Sequence, residues 1–586
     1  MRPPAFRPPA PRLPRSRKSA VPAIAILLSV LPVGGAAVPA RAEEAVDLAA
    51  VHRIKAEAFQ NPKVMEHLFF LTDVNGPRLT NSPGYRSAAD WAIRSLKEWG
   101  VKDARLETWG RFGKGWSLRR FSAHLKEPAY APIDGLVRAW SGGTNGAVTA
   151  PVVHAPLFSA PELERDDDYD IPFYAARVQR FIEAHKGKLR GIIVLIDPAR
   201  DFPPPAEPLS ERYDDTSLAE VARAPEPFLL PGYELPLMTL PEDPEKRERL
   251  LELAPMEVTN DYFVRRMRTQ DALNAFLRDE GAVAVFAGDR RGHGAIIFGT
   301  RGGSYETGAP VPPPIVNLEP ETYGRLVRLA ERKIPVSIEL LVEVAFHDGP
   351  ESANVIAEIP GGRKRDEVVM LGAHLDSWHA ATGATDNAAG CAVTLEAMRI
   401  LKTLGLRLDR TVRLGLWSGE EQGLFGARGY VRRHFGDPLT MALKPDHARL
   451  SAYFNFDNGA GRVRGIYLQG NDMARPLFES WLRPFSDLGA TTVAIASTLD
   501  TDHEAFDSVG LPGFQFIQDP LDYSTRTHHS SLDVYDHVVP ADLMQASAVV
   551  ASIVYHAANR PDLLPRKPLP RPLPGMVGKE AFRGWE

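Results

Sequence analysis

The sequence predicts an α/β protein: a mixed, largely parallel sheet flanked by helices, interrupted by an inserted β-rich block. Three observations carry this expectation. After residue 345 short apolar runs alternate with helical stretches, the rhythm of strand–loop–helix units that build a parallel sheet. From about residue 128 to 342 the chain instead shows brief β-like runs separated by Pro- and Gly-rich loops. A chain of 586 residues is also too long for one compact core, so two or more domains are expected.

The elements follow in order. Residues 1–18 carry Arg2, Arg7, Arg12, Arg15, Arg17 and Lys18 without an acid, residues 20–38 are apolar, and Ala40-Arg41-Ala42 offers small residues for cleavage. Residues 1–42 therefore read as a signal peptide cut after Ala42, with a secreted or periplasmic address. Pro22, Pro32, Gly34 and Gly35 break the apolar run and argue against a lasting membrane span. Removing this segment takes away seven basic and no acidic residues, so the formal charge moves from −5 to −12. That balance excludes nonspecific nucleic-acid binding as a function. Cys391 is the single cysteine, which rules out an intrachain disulfide and suits a small packed apolar group.

Residues 47–109 read as helices, within an N-terminal part of the catalytic domain that spans 43–127. Ser82-Pro83 provides a capping hydroxyl before a proline at the first helical position, and Gly100 closes that pattern. The block 128–342 holds runs such as "GIIVLI" (191–196) and "AVAVF" (282–286), with few clustered His, Asp or Glu residues, and reads as an accessory domain. In 343–560 strands are expected at 368–371, 411–418, 450–456 and 513–517, with a helix at 388–404 ended by Gly405. The tail 561–586 is proline-rich and reads as extended or disordered.

Each of these late strands ends in a polar cluster. The first gives His374 and Asp376, with Asp386 shortly after; the second gives Glu420-Glu421; the third Asp457; the fourth leads to His528-His529. Ligands of open α/β sheets bind beyond the carboxyl ends of the strands. A lone histidine is ordinarily a satisfied core residue and adjacent glutamates are ordinarily a solvated surface, but four strand ends sharing this chemistry point to a site. His374, Asp386, Glu421, Asp457 and His529 form a nitrogen and oxygen set without thiolate, which suits catalytic zinc. Five side chains exceed one open tetrahedral ion and suit two ions sharing a carboxylate. One acid of the Glu420-Glu421 pair can then bind metal while its neighbour acts as general base, and Asp376 can orient His374.

The segments "AHLDSW…TGATDNAAG", "WSGEEQGLFGARGY", "NFDNG", "TDHEAFDSVGLPG" and "HHSSLD" resemble the co-catalytic di-zinc exopeptidases that include bacterial leucyl aminopeptidase and plasma glutamate carboxypeptidase. The resemblance implies a zinc exopeptidase fold over 47–127 and 343–558, with the block between as a protease-associated domain. It implies that Asp386 bridges two Zn²⁺ ions, with Glu421 and His529 on one and His374 and Asp457 on the other. Glu420 is then the general base and Asp376 the partner of His374. His529 fits the His-x-x-x-Asp spacing to Asp533, which leaves His528 to the substrate pocket; Asp502 and His503 match a recurrent pair near the site with a structural role.

The activity expected from this is a metallo-exopeptidase acting on peptides at a free amino terminus, with a carboxypeptidase or dipeptidase as the alternative. A noncatalytic receptor on the same scaffold is disfavoured because all five ligands and the base are present. A one-zinc glutaminyl cyclase is disfavoured because both His374 and Asp457 are retained. Acid-rich loops, with Asp500 and Asp502 as surplus acids and Arg526 the only basic residue close to His529, favour recognition of a substrate ammonium. N-acetylation is then expected to block cleavage and C-terminal amidation to be tolerated.

Overall fold

The computed structural model describes residues 44–163, 171–200, 205, 207–223, 256–289, 291, 294–349, 351–438 and 440–570. The signal-peptide reading of 1–42 and most of the proline-rich tail lie outside these residues. Among the described residues, no helix is long and apolar enough to cross a membrane.

The first of two eight-stranded sheets runs in the order Asp103–Arg111, Glu351–Ile359, Arg410–Trp417, Lys364–His374, Leu450–Asn455, Gly513–Gln518, Val463–Tyr467, Thr492–Ala494. Its four central strands, Arg410–Trp417 to Gly513–Gln518, are mutually parallel. Antiparallel pairings flank them on both sides. The sheet is therefore mixed with a parallel centre, and the four strands expected from sequence are that centre. Within Lys364–His374, Val369, Leu371 and Ala373 enter one apolar cluster while Val368 and Met370 enter another, so side chains alternate into cores on both faces. Helices Leu48–Gln60, Ala389–Thr403 and Pro540–Asn559 cover the first face; Phe425–His434 and His503–Asp507 cover the second.

The Ser82 hydroxyl accepts from the Tyr85 N–H and opens helix Pro83–Glu98, as its sequence predicts. Residues 103–109 depart from the helical expectation and form an edge strand. There Ala104 and Leu106 pack inward while Asp103, Arg105 and Glu107 do not, a period of two that pairing with Glu351–Ile359 selects.

The second sheet runs Ala131–Pro132, Gly115–Glu127, Ser337–His347, Val148–His154, Ile193–Leu195, Ala284–Gly288, Ile315–Leu318, Gly135–Val137. It has its own apolar cluster, including Trp116, Trp140, Phe286, Val316 and Ile338. The block between is not wholly β: helices Ile171–His185, Met256–Glu280 and Pro320–Glu331 pack with these strands.

Candidate active site

Parallel strands bring their carboxyl ends to one edge of a sheet, and the polar clusters gather there. His374 is the last residue of its strand, Glu420-Glu421 follow Trp417, and Asp457 follows Asn455 by two residues. The loop between His374 and Asp386 is shaped from outside by Arg78, which is fully buried. Its guanidinium donates to the carbonyls of Leu375 at 2.7 Å, Thr382 at 2.7 Å, Gly383 at 2.9 Å and Leu71 at 2.8 Å. Gly383 is required in this loop: its φ is 67°, and a Cβ there would meet the Ser377 Cβ at 2.4 Å. Asp386 itself is held between neighbours. The Thr385 N–H and hydroxyl both donate to Asp533, and Asn387 Nδ2 donates to the Phe456 carbonyl at 2.8 Å.

The predicted ligand atoms converge. His374 Nε2 lies 3.2 Å from Asp386 Oδ1 and 3.5 Å from Asp457 Oδ1. His529 Nε2 lies 3.0 Å from Asp386 Oδ2 and 2.9 Å from Glu421 Oε2. Asp386 thus faces one imidazole with each oxygen. Its Oδ2 is buried and makes no aligned hydrogen bond. Two groups of potential metal-holding side chains share Asp386: His374 with Asp457, and His528 with His529. Ligand atoms about 2 Å from one tetrahedral ion lie about 3.3 Å apart, and the four contacts bracket that value. Of the two adjacent histidines, His529 is the nearer to Asp386; His528 Nε2 is 3.8 Å away.

Glu420 Oε2 sits 3.9 Å from His374 Nε2 on the cavity side. Asp376 has a different geometry from its predicted one. His374 Nδ1 contacts the Asp376 backbone carbonyl at 3.0 Å, whereas the carboxylate stands 3.9 Å away. The carboxylate accepts from the Thr80 hydroxyl at 2.9 Å and from the N–H groups of Glu420 and Glu421, both at 3.3 Å. It therefore fixes the turn that presents both glutamates. Asp502 is fully buried with neither oxygen hydrogen-bonded, and its place away from the cavity lining removes it as an acceptor for a substrate ammonium.

Crowded charge perturbs several of these groups. Burial would lift Asp386, but the His374 and His529 imidazoles hold it well below the usual carboxylate range. Burial and the Asp386 charge push Glu421 up to about 7, and burial with the charges of Asp457, Asp502 and Glu421 pushes Glu420 well above its ordinary value. His529 is raised to about 10, because Glu421 and Asp386 outweigh its burial. His528 is pushed down to about 4 by burial and by the neighbouring His529 charge. Acceptor-rich, buried and short of positive charge, this is a donor set that fits divalent metal.

Residues 354–554 match the model of peptidase family M28. Carboxypeptidase Q of Homo sapiens is 31% identical over 263 residues, 45% of this chain and 53% of its own length. Aminopeptidase YwaD of Bacillus subtilis (strain 168) is 27% identical over 216 residues, 36% of this chain and 45% of its own. The chain spans about half the length of the curated relatives it matches. A peptidase M28 precursor from Shewanella amazonensis SB2B has the same fold: it aligns with 89% of this chain and 98% of its own, with a TM-score of 0.58 at 23% identity.

All five predicted ligand residues and Glu420 come from the M28 segment, yet that segment does not build the cavity alone. A cavity of about 890 Å³ opens over the glutamates and His529, and its lining also includes Arg138, Arg266 and Arg301 from outside that segment. The contact between the two sheets is direct. The Gly299 N–H donates to the His529 carbonyl at 2.6 Å, and Phe298 bridges to Ser530. His529 holds a φ of 62°, an uncommon region for a residue with a side chain, and this pairing over-determines it. Trp378 packs edge-on against both Trp140 and His529, at 6.3 and 6.1 Å between ring centres. Sequence reasoning passed over Arg78, Thr80, Gly299 and Arg301. None sits at a strand end or within a cluster, so residue type alone carried no signal.

Proposed function

We propose that this protein is a zinc-dependent metallo-exopeptidase that removes residues from the free amino terminus of short peptides. The observation that carries the reading is Asp386 turned with one oxygen toward His374 and the other toward His529, which supports two ions sharing one carboxylate. His374 and Asp457 would hold one ion, Glu421 and His529 the other. Bound there, the zinc pair supplies Lewis acidity toward the scissile carbonyl and the attacking water. Glu420 takes the proton from that water at its carboxylate and returns it to the leaving amine nitrogen; its raised affinity for a proton suits both halves of that task. Asp376 keeps Glu420 and Glu421 in register through their backbone N–H groups. Asp500 and Glu504 line the cavity as acceptors for the substrate ammonium. The block 128–342, read as an accessory domain of protease-associated type, contributes to the cavity lining.

A carboxypeptidase or dipeptidase is the second reading, favoured by the arginines of that lining. Assay of the zinc-loaded protein against free and N-acetylated tripeptides tests the proposal. Loss of cleavage on acetylation supports it, and equal turnover of both forms moves the protein to carboxy-terminal cleavage.

A further inference from the structure

The expectation that C-terminal amidation is tolerated rested on Arg526 as the only basic residue near His529, and the folded chain alters that premise. Arg526 does not line the cavity, whereas Arg138, Arg266 and Arg301 do. All three come from the second sheet and its helices. Arg138 Nε donates to Asn317 Oδ1 at 2.7 Å, and Arg266 lies over the Tyr174 ring at 5.8 Å. Arg301 is different. Among the described residues no hydrogen bond or ion pair engages its guanidinium, whose charged carbon stands 6.0 Å from the Tyr305 ring centre. Asp271 and Glu306 balance it only at longer range.

The backbone places Arg301 two residues from the segment that touches the His529 loop. It follows Gly299, the donor to the His529 carbonyl, by two residues, a span of at most about 7 Å. Its own main chain is pinned by a parallel bridge to Ala139. A half-buried guanidinium held on fixed backbone, in the same enclosure as the glutamates, matches a carboxylate in shape and charge. Asp500 and Glu504 line the same cavity, with the Arg428 charge near them. The enclosure thus offers groups for both signs of charge, and its volume suits a ligand of a few residues.

We infer that Arg301 is a specificity-determining residue that binds a carboxylate of the substrate on the far side of the scissile bond, so that short peptides with a free carboxylate are preferred. The inference rests on the exopeptidase reading for what the cavity holds. The carboxylate can be the terminal one or an acidic side chain, and the substrates below separate these sources.

The test measures kcat/KM of the zinc-loaded full chain on Leu-Gly and Leu-Gly-amide, and on Leu-Glu-amide and Leu-Gln-amide. The wild-type protein is expected to favour a carboxylate-bearing member by about tenfold to a hundredfold, the range of a charge-assisted contact. In Arg301→Ala that ratio falls to near one, and in Arg301→Lys, which keeps the charge but loses the fork, it is intermediate. Preference within the Leu-Gly pair assigns the terminal carboxylate, and preference within the Leu-Glu pair assigns the side chain; either supports the inference. Absence of both preferences in the wild type, or their survival in Arg301→Ala, overturns it. If no peptide is hydrolysed, the exopeptidase reading fails, and calorimetric titration with Leu-Gly and Leu-Gly-amide decides the matter: tighter binding of the acid that Arg301→Ala abolishes supports a carboxylate site, and equal binding overturns it.

Discussion

Glu420 and Arg78 show how differently two buried charged residues serve one site. Glu420 faces the cavity and is proposed as the general base, so Glu420→Gln is expected to leave metal content unchanged while lowering kcat by about 10²–10⁴-fold. Metal analysis beside steady-state kinetics checks this, and a variant of near-normal rate removes Glu420 from the role. Arg78 has no task in the reaction. Four backbone carbonyls depend on its guanidinium, and three of them belong to the loop between His374 and Asp386. Arg78→Ala leaves those acceptors buried and unsatisfied, with an expected loss of at least about 3 kcal/mol in urea unfolding. Arg78→Lys is expected to recover little, since one ammonium cannot reach carbonyls arranged around a planar fork.

At the scale of elements, the first face of the sheet is knit by an ionic cluster beneath helix Ala389–Thr403. Glu396 accepts from Arg399 at 2.8 Å and lies 3.0 Å from the His67 ring, while Arg399 also reaches Glu57 at 2.7 Å. Burial raises the Glu396 pKa, but Arg399 and His67 together bring it down to about 2 from an ordinary 4.5. The folded value lies below the unfolded one, so the stabilisation is full above pH 4.5 and drains as pH falls toward 2. Its size is on the order of 3 kcal/mol. Glu396→Gln should be less stable at neutral pH and should flatten the decline of stability across that window; an unchanged slope contradicts the assignment. This cluster was not legible in the sequence, because Glu57, His67, Glu396 and Arg399 meet only after three helices pack. What was legible is local. The four central strands announced themselves by apolar runs, and the candidate ligand residues by their position past those runs. The helical reading of 103–109 missed an edge strand whose partner lies more than 240 residues away. That the Asp376 carboxylate also restrains the Glu420 and Glu421 backbone was not legible for the same reason, since that backbone belongs to a different strand end.

For the whole molecule, the second sheet is a working part of the site. Its segment 297–301 pairs with the His529 loop and leads into the arginines of the cavity lining. Gly299→Pro removes the N–H that supports the His529 carbonyl, and should weaken metal binding and lower activity by up to about tenfold, the upper end for one neutral hydrogen bond, with the circular dichroism spectrum preserved. Activity equal to the wild type would show the two sheets to be functionally independent. Two ions are proposed to share the Asp386 carboxylate, and a metal count tests that sharing. Zinc per chain, measured after dialysis of the wild-type protein and of Asp386→Ala, should be two in the first and close to none in the second, because only that carboxylate spans both ligand groups. One ion per wild-type chain, or a full pair retained in Asp386→Ala, contradicts the account.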